Sequence, residues 1–192
     1  FEKGSHAHEY RFRHKDGTWR WMHDELRLMR NAAGDPAEIL GSWVDITERK
    51  GMEETLREGE RKYRALFDSA TDAIFILDLD GNVIDVNRSA HARLGYTKQE
   101  MLAMHISRLD PPEFAARVPE RMEKISRSGE AVFESAHLRK DGSVMPVEIN
   151  SRLLEYEGRQ VFFSIVRDSS ERKKAEEALR ESEAKFRAAF EH

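Results

Sequence analysis

The feature that most constrains this chain is that it states one pattern twice. His14-Lys15-Asp16-Gly17-Thr18 returns 125 residues later as Arg139-Lys140-Asp141-Gly142-Ser143. Trp43-Val44-Asp45-Ile46-Thr47-Glu48-Arg49-Lys50 returns after 123 residues as Val166-Arg167-Asp168-Ser169-Ser170-Glu171-Arg172-Lys173. The segment from Leu56 to Phe67 returns at the same 123-residue interval, from Leu179 to Phe190. The second copy therefore has a loop two residues shorter between turn and junction. A repeat of this kind fixes architecture more firmly than any single motif. It implies the back part of one unit, one whole unit, and the opening helix of a third. With Phe1 at one end and His192 at the other, the chain reads as a piece of something longer.

Bulk properties exclude several classes. A net charge of −4 provides no basic field for nucleic acid. No apolar stretch approaches the roughly 18 residues of a membrane span, so a cytoplasmic protein is expected. The absence of cysteine removes disulfides, thiolate metal sites and cysteine nucleophiles.

Residues 1–47 read as strands. Glu9 to Arg13 alternates, Asp16-Gly17 is a two-residue turn signal, and Trp19, Trp21 and His23 share a face of the next strand. Asn31 to Pro36 is a loop and Ile39 to Ile46 the return strand, with Thr47 placed to cap a helix over 48–68. A second hairpin follows: Ala73 to Asp78, a turn at Asp80-Gly81, and Val83 to Val86. Asn87 caps a short helix ending at Gly95, and Thr97 to Glu100 is a capping box for a helix over 98–104. Pro111-Pro112 opens a longer helix striped by Phe114, Val118, Met122 and Ile125, with Pro119 imposing a kink or an irregular start. Ser128-Gly129 ends it, and strands over 130–139, 143–155 and 159–168 complete an α+β domain with helices on one sheet face.

The linker segments carry a seam. Met52, Leu56, Gly59, Tyr63 and Leu66 recur as Ala175, Leu179, Ser182, Phe186 and Ala189. Either an amphipathic helix packed on its own domain or a parallel two-chain coiled coil satisfies that spacing. Gly59 and Ser182 would keep such a coil weak. Alternation along the last two strands turns Val147, Ile149, Ser151, Phe162, Ser164 and Val166 inward. Val161, Phe163 and Ile165 are left on the outer face, for a helix or a partner chain to cover.

The ordered motifs resemble the PAS, or sensory-box, family. They are the hairpin from Asp78 to Asn87, Leu94-Gly95-Tyr96, the Lys-Asp-Gly turn, and Asp45-Ile46-Thr47 with its altered counterpart Asp168-Ser169-Ser170. The resemblance implies a five-stranded antiparallel sheet in the order 2-1-5-4-3, a cavity between sheet and short helices, and PAC-type C-terminal segments. It also implies signal exit through the last strand into amphipathic linker helices. The domains would be a truncated PAS part at 1–47, a linker at 48–68, a complete PAS domain at 69–170 and an exit helix at 171–192. Cavity candidates are Val118, Met122, Ile149, Ser151 and Ser164, which would equally fill an ordinary core. Signal-exit candidates are Asp168, Ser170, Arg172, Asp45, Thr47 and Arg49, with Asp168–Arg172 and Asp45–Arg49 as expected ion pairs.

Most chemistry fails on inspection. A flavin photoadduct lacks its cysteine, and the haem-ligating position of the long helix, eleven residues before Gly129, is Val118. Any cofactor is therefore unspecified. His91 and His105 read as surface or capping residues before ligands, and His6 and His8 share a strand face without a third ligand. No metal site, catalytic constellation or phosphate loop appears. His192 aligns with Ser69 and so makes a poor phospho-acceptor. The expectation is a non-catalytic sensory and dimerisation fragment, with a small-molecule ligand and a parallel homodimer through its helices. The parent would be a sensor histidine kinase of a two-component system. The other class left open is a PAS spacer in a cyclic-dinucleotide enzyme or transcription regulator.

Overall fold

The structure, a computed structural model, describes residues 5–190. Phe1, His192 and the side chain of Ala189, on which parts of the reading above rest, lie outside the described residues. The chain divides into two compact units, Phe1–Tyr63 and Arg64–His192.

The first unit holds a three-stranded antiparallel sheet in the order β1-β2-β3: β1 (Ser5–Arg13), β2 (Trp19–Arg30) and β3 (Pro36–Asp45). Helix α1 (Thr47–Ser69) follows, and the division between units falls within it. The Asp16-Gly17 turn is longer than two residues, because the last strand pair is Arg13 with Trp19. His14 N–H donates to the Thr18 carbonyl (2.8 Å), Gly17 takes φ +89°, and the Asp16 carboxylate accepts from Thr18 N–H (2.8 Å) and its hydroxyl (2.6 Å). An aspartate bonding two residues ahead makes its own turn, so no type I′ geometry is needed.

The second unit begins with β4 (Ala73–Leu77), β5 (Val83–Val86), α2 (Arg88–Leu94) and α3 (Lys98–Leu102). A 3₁₀ turn (Ile106–Leu109), α4 (Pro112–Ala115), α5 (Val118–Ser128), β6 (Glu130–Leu138), β7 (Val144–Tyr156), β8 (Arg159–Asp168) and α6 (Ser170–Phe190) follow. Its sheet is antiparallel in the order β5-β4-β8-β7-β6, which reads 2-1-5-4-3 when counted from β4. The expected long helix is two helices. Pro119 sits in the first turn of α5, where its missing N–H costs nothing, and it cannot lie in the interior of a helix continued from Pro112.

The repeat is literal in three dimensions. Strands β1, β2 and β3 start at positions offset by 125, 125 and 123 from β6, β7 and β8. The turn bonds recur: Arg139 N–H to Ser143 O is 2.8 Å, and Asp141 accepts from Ser143 N–H (2.8 Å) and hydroxyl (2.6 Å). The shorter β7–β8 connection has Glu157 at φ 51° and Gly158 at φ 74°. Both central residues of a type I′ hairpin take positive φ, and a non-glycine there is strained.

The main core lies between the sheet and the short helices, built on Phe75, Leu77, Val86, Leu94, Met101, Leu109, Met145, Val147 and Phe162. A smaller cluster covers the outer face, where Phe67 from the end of α1 packs with Ile74, Ile76 and Val161, and Phe163 beside them. Thus the entering helix, and not the exit helix, covers most of the apolar outer face, while Ile165 stays 38% exposed.

One side chain holds these parts in register. Asn87 is fully buried. Its amide oxygen accepts from Ile74 N–H (2.9 Å) and Ala90 N–H (3.0 Å), while its NH2 donates to the Phe67 (3.2 Å) and Asp72 (3.0 Å) carbonyls. Asn87→Ala strands several buried backbone groups at once. Such losses cost about 1–3 kcal/mol each when uncompensated. Urea unfolding is expected to show a destabilisation of about 2–4 kcal/mol.

Candidate functional site

A cavity of about 50 Å³ lies between the sheet and α5. All five cavity candidates, Val118, Met122, Ile149, Ser151 and Ser164, line it. Phe75, Leu77, Ile106, Ile125, Phe133, Phe162 and Val166 complete the apolar wall. Strand alternation brings Ser151 and Ser164 opposite each other across β7 and β8, and their hydroxyls bond at 2.8 Å. One hydroxyl donates to the other, so the pair shares a single hydrogen bond across the sheet wall.

The opposite end is different. Asp110, Arg121 and His137 also line the cavity. Asp110 stands between the 3₁₀ turn and α4, Arg121 on α5, and His137 on β6 beside Phe75, edge to face at 5.8 Å. Asp110 and His137 are buried. Their closest approach, Oδ1 to Nε2, is 3.7 Å, and Asp110 Oδ2 lies 3.7 Å from Arg121. Both separations exceed hydrogen-bond length. Asp110 Oδ1 is left with no hydrogen-bond partner. Arg121 is better anchored: it donates to the Ser135 hydroxyl (3.0 Å) and the Glu134 carbonyl (3.3 Å) and lies over the Phe133 ring at 4.5 Å.

Burial pushes the Asp110 carboxyl up to about 7, with the Arg121 charge acting against it. Burial, and then Arg121, push the His137 imidazole down to about 4. The sequence reading missed this trio. Alternation along β6 could have turned Ala131, Phe133, Ser135 and His137 inward. Asp110 in a loop and Arg121 beside an apolar stripe carry no such signal.

At the exits, the two expected ion pairs do not form. Asp168 Oδ1 accepts from Ser170 N–H (2.8 Å) and Asp45 Oδ1 from Thr47 N–H (2.9 Å), so each carboxylate caps the helix that follows it. Asp45 also meets Arg20 at 3.3 Å. Arg172 reaches Glu134 on β6 (2.8 Å), and Lys173 reaches the same carboxylate (2.9 Å). In the first unit Arg49 bonds Glu9 on β1, and Lys50 lies 2.6 Å from Glu9. Glu9 and Glu134 are 125 residues apart, so the repeat includes this clamp. Lys173, then Arg172, hold the Glu134 carboxyl below its ordinary value.

The joints differ at their centres. Ile46 and Ser169 are both buried, and each N–H donates to the paired strand, at Trp21 O (2.8 Å) and Pro146 O (3.0 Å). The Ser169 hydroxyl is buried without a partner. In the first unit Thr47 Oγ1 accepts from Trp21 N–H (2.8 Å), a bond that Pro146 cannot donate at the equivalent place.

Of the histidines singled out in the sequence, His105, His6 and His8 have side-chain contacts. His105 caps the 3₁₀ turn, with Nδ1 at 2.7 Å from Ser107 Oγ and Nε2 at 2.7 Å from Asp80 O. The ring lies so close to Gly81 (φ +91°) that an added Cβ would meet Nε2 at 2.6 Å. His6 and His8 share a face with ring centroids 5.0 Å apart. Among the described residues no group of three or more potential ligands gathers at one point. No helix among them is long and apolar enough to cross a membrane.

Comparison with known proteins agrees with this geometry. The family described as "PAS domain" matches residues 71–171, and that described as "PAS fold" matches residues 1–42. A methyl sulfide methyltransferase-associated sensor of Methanosarcina acetivorans is 41% identical over 128 residues, covering 66% of this chain and 13% of that protein. Sporulation kinase E of Bacillus subtilis is 31% identical over 147 residues, covering 76% and 19%. The chain thus spans under a fifth of either relative. The PAS domain of an HTR-like protein from Haloarcula marismortui is 34% identical with a TM-score of 0.58, covering 62% of this chain and 98% of that one.

The buried pair gives a pH prediction. Between about 4 and 6.5 the unfolded chain holds a proton on His137 that the folded chain excludes, so this residue makes folding more favourable as pH rises. From 3.8 to about 7 the folded chain keeps a proton on Asp110 that the unfolded chain has released, so this residue acts in the opposite sense. In Asp110→Asn only the histidine slope remains. Urea midpoints for that variant are expected to climb more steeply across this interval than those of the wild type.

Proposed function

The chain belongs to the PAS domain family, and from that premise we propose that it is a non-catalytic sensory and dimerisation segment of a signal-transduction protein. The relatives are sensors and a kinase by name, and a sensor histidine kinase is the parent that suits this chain. Residues 69–170 act as the complete sensory domain, and its cavity holds the signal molecule against Val118, Met122, Ile149, Ser151 and Ser164.

The observation that carries this reading is the clamp. Arg121, on the cavity wall, bonds the backbone at Glu134 (3.3 Å), and the Glu134 side chain grips Arg172 and Lys173 at the start of α6. A change at the cavity therefore has a short physical route to the helix that leaves the domain. Asp168 and Ser170 set where that helix begins. Asp45, Thr47 and Arg49 play the same part for α1, with Glu9 in place of Glu134.

Residues 1–47 suit the C-terminal part of a preceding PAS domain, in tandem with the second. The counterparts of buried Phe162 and Val166 are Ile39 and Trp43, which are 60% and 54% exposed. Strand β8 pairs with β4, whereas β3 has no such neighbour among the described residues. A face of that composition is built to be covered by helices, and the β3 edge to pair with a further strand as β8 does with β4.

The linker helices are the dimer contact in this reading. Met52, Leu56, Leu66 and Leu179 are 61%, 66%, 75% and 61% exposed, on helices whose other faces are charged. An apolar stripe at heptad spacing gains most from a second copy of itself. Oxidation of Met52→Cys and Leu56→Cys variants is expected to trap a disulfide-linked parallel dimer. Failure at both positions, with a monomeric mass in solution, would remove the coiled coil from the account.

A further inference from the structure

We propose that the Asp110 end of the cavity is the recognition end, and that it takes a small neutral molecule carrying a hydrogen-bond donor, of the amide or hydroxyl type. The inference rests on the reading of the cavity as a ligand site and adds the chemical class of its occupant.

Three observations set that class. First, Asp110 Oδ1 is buried on the cavity wall with no partner, and above about pH 7 the ionised carboxyl is an acceptor only. Leaving such an atom unmade costs free energy comparable to a lost hydrogen bond, so a donor placed there is strongly favoured. Second, the local cation is partly engaged and its charge faces that of Asp110. Arg121 gives hydrogen bonds to Ser135 and Glu134 and stacks over Phe133, and it lies 3.7 Å from Asp110. An anion entering here would meet the Asp110 carboxylate, whose charge offsets that of Arg121. His137, the other polar neighbour, is held neutral by burial. Third, the cavity is about 50 Å³. A single water needs roughly 10–15 Å³ on this measure, so the occupant has on the order of four heavy atoms. The remaining wall includes Phe75, Val118, Met122 and Phe162, which suit one short apolar group beside the donor.

Acetamide and acetate make the decisive pair of probes, because they share size and shape and differ in replacing an NH2 donor by an anionic oxygen. Methyl NMR of the full chain at pH 8 would follow Val118, Met122 and Ile149 during titration with each. Acetamide is expected to shift these methyls saturably, acetate at least tenfold more weakly, and Asp110→Leu should lose the acetamide response. If acetate binds as well as acetamide or better, the donor assignment is overturned while the cavity remains a ligand site. If acetamide binds Asp110→Leu as it binds the wild type, Asp110 is not the recognition group. If neither probe moves the cavity methyls, the ligand reading of the cavity fails and the proposal falls with it. Should Asp110→Leu not fold, the order of the two probes on the wild-type chain still decides.

Discussion

Everything in the second unit is referred to the amide of Asn87. A hairpin, a helix N-terminus and the end of an incoming helix must meet there, and each arrives with unpaired backbone groups. One side chain with two acceptor sites and two donors supplies the bonds for all three. Hydrophobic burial is not directional, and by itself the packing of Phe67 with Ile74, Ile76 and Val161 would allow α1 to slide along the outer face. The directional bond from Asn87 to the Phe67 carbonyl fixes where the helix stops and the sheet begins. With that point fixed, β4 pairs with β8, and the cavity wall follows from their register.

The exit shows the same economy at lower strength. An aspartate caps the helix, and a strand glutamate takes the next two basic residues. Both devices are repeated in the two units. These ion pairs are exposed, so each is weak and can be remade readily. The second joint carries a further weakness in Ser169, whose buried hydroxyl has no partner where the first joint has an isoleucine. A joint held by replaceable pairs over a poorly satisfied centre can change state at small cost.

Much of the fold was legible because its determinants are local. Asn87, Gly95, Thr97 with Glu100, and Gly129 announce helix ends through short-range chemistry, and the structure places caps at each. Strand alternation brought Ile149, Ser151 and Ser164 to one cavity without any knowledge of the helices. The rest was not local. Asp110, Arg121 and His137 come from a loop, a helix and a strand, and no periodicity links them. The exit pairs were misassigned because proximity in sequence favoured Asp168 with Arg172. In the fold, the aspartate is taken by its own helix cap, and the arginine reaches a strand 38 residues away. The two-residue reading of Asp16-Gly17 failed for a related reason, since the side chain of Asp16 closes a wider loop.

The proposed route from the cavity wall to the exit helix runs through Arg121 and Glu134. Backbone amide exchange at the start of α6, from Lys173 to Glu177, tests it in Arg121→Met against the wild type. Arg121 makes no contact with α6 in this account except through Glu134. Faster exchange in that first stretch of α6, with Asn87 and its neighbours unchanged, is the predicted result. Exchange in α6 that stays at the wild-type rate while the amides around Ser135 loosen would contradict the connection.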